Sequence, residues 1–158
     1  MTRGSVLFLD TNVLLAATDR SRREHSNSRA ILREAETAGC HLACTPQIIR
    51  EYLVVASRPV DVNGLGMSAA DALANVQAFR TRLTVVDESS RALQELLSLV
   101  ATHDLTGKRI HDANIAAAMA AHGLDILVTS NGDDFRSLFL GRIVGPSECL
   151  AELRVNLA

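Results

Sequence analysis

The strongest constraint on the fold is a series of short, mostly apolar runs that show no polar alternation: Ser5–Leu9, His41–Cys44, Leu83–Val86, Ile126–Thr129 and Arg142–Val144. A strand with one wetted face alternates apolar and polar residues; a strand covered on both faces has no reason to. Segments with helical signals lie between the runs. Thr11–Thr18 can start a helix, and His25–Ala38 forms a longer one ending at Gly39, a position suited to a left-handed cap. Pro46 fits the first turn of a helix running to Ser57. Arg58–Met67 reads as a loop, and Ser68 opens a helix with Asp71 near its positive dipole end. Ser89–Ala101, Ile110–His122 closed by Gly123, Asp133–Phe139, and a terminal helix after Pro146 complete the set. Unalternating strands interleaved with helices predict an α/β protein: a three-layer α/β/α sandwich with a mainly parallel central sheet.

The chain has 158 residues, which fits a single domain over residues 1–158. Apolar residues make up 47% and charged residues 22%, enough apolar surface to offset ordering entropy, so disorder is excluded. A formal net charge of −2 excludes a polybasic nucleic-acid coat but leaves room for a local basic patch. Three cysteines, Cys40, Cys44 and Cys149, cannot form a full disulfide framework. Cys40-His41-x-x-Cys44 lacks a fourth ligand at zinc spacing, so buried small hydrophobes are the preferred reading. No apolar run approaches the ~20 residues of a membrane span, and Val6–Leu9 is too short for a signal peptide. The expected setting is the cytoplasm, with no membrane partner.

In a parallel α/β sheet, ligands bind beyond the carboxyl ends of the strands, so the residues just after each strand matter most. Asp10 directly follows the first run, and Asp133 and Asp134 follow Thr129-Ser130-Asn131-Gly132. Asp10 alone would be read as a helix N-cap. Glu51 sits in the mostly apolar Ile48–Val55 stretch, and Asp112 precedes a small-residue helix. Each alone would be read as a solvated helix face, or, for Asp112, as an Arg109–Asp112 pair one turn apart. The glycine-rich nucleotide-binding signatures and the nucleophile elbow are absent, and no histidine pair has metalloprotease spacing.

Four segments, in order, resemble the PIN-domain ribonucleases, and within them the VapC-type toxins of bacterial toxin–antitoxin pairs. Phe8-Leu9-Asp10-Thr11-Asn12-Val13-Leu14-Leu15 is similar to the family's opening strand and first acid. Thr45-Pro46-Gln47-Ile48-Ile49-Arg50-Glu51-Tyr52 is similar to its glutamate-bearing helix. The segment from Gly107 to Ala117 resembles the third-acid helix, with Asp112. Thr129-Ser130-Asn131-Gly132-Asp133-Asp134-Phe135 resembles the fourth, where register against Asn131 and Phe135 selects Asp134, with Asp133 adjacent and able to share the role.

The resemblance implies RNA phosphodiester hydrolysis at a site built from Asp10, Glu51, Asp112 and Asp134. Two unit charges ~5 Å apart at an effective dielectric of ~20 repel by roughly 3 kcal/mol, which a divalent cation relieves. An all-oxygen ligand set suits Mg²⁺ or Mn²⁺ rather than zinc. Asp10 and Asp112 are expected as the principal metal ligands, with Glu51 and Asp134 completing the site. Thr11 and Asn131 are the expected hydrogen-bonding partners that fix the carboxylates. Arg22, Arg23, Lys108, Arg109 and Arg136 flank the acid-bearing segments and are expected to attract RNA phosphates. The resemblance further implies a small antitoxin partner and a homodimer. Two other readings stand beside it. One is a phosphatase of the haloacid-dehalogenase type, which wants a carboxylate where Asn12 stands. The other is a non-catalytic PIN-like module that binds RNA or protein.

Overall fold

The computed structural model describes residues 1–157. The chain runs β1 (Val6–Leu9), α1 (Thr11–Thr18), α2 (His25–Glu34), β2 (His41–Cys44), α3 (Pro46–Ser57), α4 (Ala69–Arg80), β3 (Leu83–Val85), α5 (Ser90–His103), α6 (Arg109–Ala121), β4 (Ile126–Val128), β5 (Arg142–Val144) and α7 (Pro146–Val155). Single turns of 3₁₀ helix lie at Val60–Val62 and Gly132–Asp134.

The five strands form one parallel sheet in the order β3-β2-β1-β4-β5. From β1 the chain moves outward through β2 to β3, then crosses back to place β4 on the other side of β1. Right-handed crossovers in opposite directions put their helices on opposite faces. The helices α1 to α4 therefore cover one face and α5 with α6 the other, which explains why β1, β2 and β4 are buried along almost their whole length. The core is Leu, Val, Ile and Ala with few aromatics; Phe8, Tyr52 and Phe135 are its bulkiest fully buried members. Tyr52 meets Phe79 edge-on at 5.2 Å, and its hydroxyl bonds Thr18 and Asn75.

Two expected helices are shorter than the sequence suggests. The helix from His25 stops at Glu34 instead of Ala38: Cys40 N donates to the Ala35 carbonyl, and Gly39 takes φ +77°, so the chain closes in turns. Asp133–Phe139 is not a regular helix. Phe135, Leu138 and Phe139 are buried at helical spacing, but the backbone bonds there form consecutive turns after the 3₁₀ segment. Cys40, Cys44 and Cys149 are buried free thiols, and burial pushes Cys44 and Cys149 up to about 12. His41, between Cys40 and Cys44, is exposed. Among the described residues no helix is long and apolar enough to cross a membrane.

Candidate active site

The strand order reverses between β1 and β4, and this is where an open parallel sheet leaves a crevice at its carboxyl edge. Asp10 leaves β1 at that point. Its backbone N–H donates to the Val128 carbonyl of β4, and its side chain caps α1, with Oδ1 accepting from Thr11 N at 2.6 Å. The other oxygen, Oδ2, accepts from the Thr129 hydroxyl at 2.6 Å and from the Asn12 amide. One oxygen of Asp10 thus caps α1, while the other is held by Asn12 and by Thr129 beyond β4. Thr129 sits just past β4 and also receives the Asn12 amide at 2.9 Å and Asn131 N at 3.0 Å. Asn12 Oδ1 in turn accepts from Ser130 N at 3.0 Å. Asp10 is only 7% exposed, yet its carboxylate is satisfied by three donors.

Glu51 lies on α3, one turn after Gln47. The Thr11 hydroxyl donates to its Oε2 at 2.7 Å and the Gln47 amide to its Oε1 at 2.7 Å. Asp112 stands in the first turn of α6, half-buried. Asp134 ends the 3₁₀ turn after β4 and is exposed.

The carboxylates act on one another. Burial pushes Asp10 up from 3.8 to about 6; the Thr129 and Thr11 hydrogen bonds oppose this, and the charges of Glu51 and Asp112 add to it. Asp112 is also raised, first by burial, then by Asp134 and Glu51, with Arg109 and His111 pulling the other way. All four acids therefore belong to one electrostatic neighbourhood. Asp134 bears on Asp112, whereas Asp133 is turned to the surface and paired with Arg136 at 2.7 Å.

Among the described residues no three acidic, histidine or cysteine side chains stand close enough to enclose a single ion. The oxygen-only donors nevertheless suit a hard cation, which would relieve the crowding that neighbouring carboxylates add to the burial of Asp10 and Asp112. Mg²⁺ keeps several waters and commonly takes only one or two carboxylates, so a three-carboxylate cage is not required.

Of the expected supporting residues, Thr11 joins Asp10 to Glu51. The exposed Asn131 contributes its backbone N–H to Thr129, and its side chain is not hydrogen-bonded to any of the four acids. Asn12, Thr129 and Gln47 do the carboxylate-holding that the sequence did not assign to them. Of these, only the Asp10-Thr11-Asn12 run carried a visible signal. Arg109 donates to Ser137 at 2.9 Å rather than pairing with Asp112. Arg22 pairs with Asp19 at 3.3 Å, and Arg23 and Lys108 are exposed. Arg22 and Arg23, with Asn12, Thr129, Ser130 and Asn131, line a cavity of about 530 Å³ beside Asp10's supports.

The PIN domain family model matches residues 7–138. Ribonuclease VapC24 of Mycobacterium tuberculosis is 32% identical over 148 residues, covering 89% of this chain and 97% of its own. PAE2754 of Pyrobaculum aerophilum superimposes with a TM-score of 0.66 at 18% identity, over 96% of this chain and 90% of its own. A toxin–antitoxin complex from Klebsiella pneumoniae does so with a TM-score of 0.59 at 23% identity, over 90% and 98%. The matched span begins on β1 and runs past Asp134, so it contains all four acids in order. The chain belongs to the PIN-domain family, in its VapC ribonuclease branch.

Proposed function

We propose that this chain is a divalent-cation-dependent endoribonuclease, the toxin of a two-protein pair, acting on RNA in the cytoplasm. The observation that carries the reading is Asp10: a buried carboxylate at the sheet's switch point, raised to about 6 in part by Glu51 and Asp112. In this reading Asp10 and Asp112 hold Mg²⁺ or Mn²⁺, and Glu51 and Asp134 complete the site. When bound, the ion supplies a water of lowered pKa and positive charge against the phosphate oxygens. The chain's own residues do the rest. Thr11, Thr129 and Asn12 fix the orientation of Asp10, and Thr11 with Gln47 fixes Glu51. Arg22, Arg23, Lys108 and Arg109 offset the repulsion between the acidic pocket and an approaching phosphate backbone. Arg136 contributes less, because Asp133 already engages it.

The inhibitory partner is a small antitoxin that presents a cationic side chain to the acidic pocket, where a guanidinium is attracted. The solved Klebsiella pneumoniae relative is itself a toxin–antitoxin complex, which supports this partner. A homodimer is expected from the resemblance to the family. Incubation of the protein with mixed RNA and Mg²⁺ or Mn²⁺ should give cleavage that excess chelator stops. Expression without the partner should arrest growth, and the Asp10→Asn form should not. Undiminished cleavage in chelator would overturn the cation-dependent reading, and equal toxicity of both forms would remove catalysis as the cause of arrest.

A further inference from the structure

Gln47, in the first turn of α3, is buried, 4% exposed, and its side chain reaches across to α6. Its Nε2 donates to Glu51 Oε1 at 2.7 Å and to the His111 carbonyl at 3.1 Å, while its Oε1 accepts from Asn114 Nδ2 at 2.6 Å. The amide has only one workable orientation: turned over, its oxygen would face a carboxylate and a carbonyl, and its nitrogen a donor. The Gln47 backbone N–H is also held, by Glu88 at 3.1 Å. His111 immediately precedes Asp112, and Asn114 follows it by two residues. Gln47 therefore fastens Glu51 of α3 to the stretch of α6 that carries Asp112. Glu51 Oε2 is fixed from α1 by Thr11, so Gln47 provides the second tether.

We propose that Gln47 is a positioning residue of the candidate site: through its amide, with Asn114 behind it, it sets the orientation of Glu51 relative to Asp112. This rests on the nuclease reading, in that Glu51 and Asp112 are taken as site acids. Glutamine suits the role because its reach and its paired donor and acceptor serve α3 and α6 together. Leucine has a similar volume but offers neither.

The test uses the full chain with Gln47→Leu and Asn114→Ala, each assayed three ways: steady-state cleavage of an RNA oligonucleotide, Mn²⁺ affinity by calorimetry, and thermal melting in chelator. Supports of this kind are worth about 10- to 100-fold in metal affinity or activity. Gln47→Leu should lower kcat by about that factor with KM within about twofold, and should weaken Mn²⁺ binding in step. Asn114→Ala, which loosens the amide from behind, should shift both in the same direction by less. Should Gln47→Leu fail to fold, Asn114→Ala carries the test alone. Wild-type kcat and Mn²⁺ affinity in a folded variant overturn the proposal, whatever happens to the melting temperature. A loss confined to KM also overturns it. A wild type that binds Mn²⁺ in a Gln47-dependent way but cuts no RNA overturns the nuclease reading and leaves the positioning role standing. A wild type that binds no Mn²⁺ overturns both.

Discussion

Replacing Asp10 by Asn should stabilise the metal-free protein at pH 7.5 and destabilise it at pH 3.5. The folded protein holds the Asp10 proton up to about pH 6, against 3.8 for an unperturbed carboxyl. The folded state therefore binds that proton more tightly than the unfolded chain does. The resulting stabilisation is fully present below 3.8 and is lost as pH rises through about 6. At about 1.4 kcal/mol per pH unit, the wild type loses about 3 kcal/mol across that window. Asparagine has no charge to bury, so it escapes this loss. It keeps the Oδ1 cap to Thr11 but places an amide where Oδ2 received Thr129 and Asn12. The Thr129 hydroxyl, whose acceptor sites already serve Asn12 and Asn131, loses the oxygen it donates to, and the Asn12 amide loses one of its acceptors, at a combined cost of about 1–2 kcal/mol. The variant should thus be about 1–2 kcal/mol more stable than wild type at pH 7.5 and less stable by a similar amount at pH 3.5. Urea denaturation followed by circular dichroism in chelator, at several pH values, measures both. A difference that stays constant across that range would refute the placement of Asp10 as a buried, charge-crowded carboxylate.

Three further outcomes follow from the same geometry. Asp112→Asn should abolish cleavage and leave apo stability unchanged or raised by a fraction of a kcal/mol, since a half-exposed charge is largely screened; its raised carboxyl makes any gain appear as pH rises, and pH-resolved melts check it. Asp134→Asn should cost far more cleavage than Asp133→Asn, which breaks only the surface pair with Arg136; equal rates for the two variants would show the register is wrong. Tyr52→Phe should leave cleavage intact and cost about 1–2 kcal/mol in denaturant, because the Asn75 amide and Thr18 hydroxyl lose the buried oxygen they share.

β1, β2 and β4 were legible because a strand buried on both faces leaves an unalternating apolar run, whereas β3 and β5 stand at the sheet's edges, are exposed along part of their length, and were marked only by short runs of the same kind. Asp10 was legible because it follows such a strand directly, and Pro46 and Ser68 marked helix starts through local chemistry. Asp133–Phe139 differs from the expected helix because Phe135, Leu138 and Phe139 bury at helical spacing without a continuous helix to carry them. Gln47 and Thr129 stayed hidden for a different reason. They bond partners 64 and 119 residues away, and a lone amide or hydroxyl carries no pattern that reveals such a partner. Asn131 failed the other way: it lies next to the right residue, but its backbone does the bonding.

Asp10, Glu51, Asp112 and Asp134 are proposed to form one cation site. A crystal soaked in Mn²⁺ and measured at the manganese absorption edge tests this directly. The predicted result is an anomalous peak in contact with Asp10 and Asp112, bordered by Glu51 and Asp134, and missing from an Asp10→Asn crystal treated identically. No peak at the carboxyl edge of β1 and β4 under millimolar Mn²⁺, or an equal peak in the Asp10→Asn crystal, would contradict it.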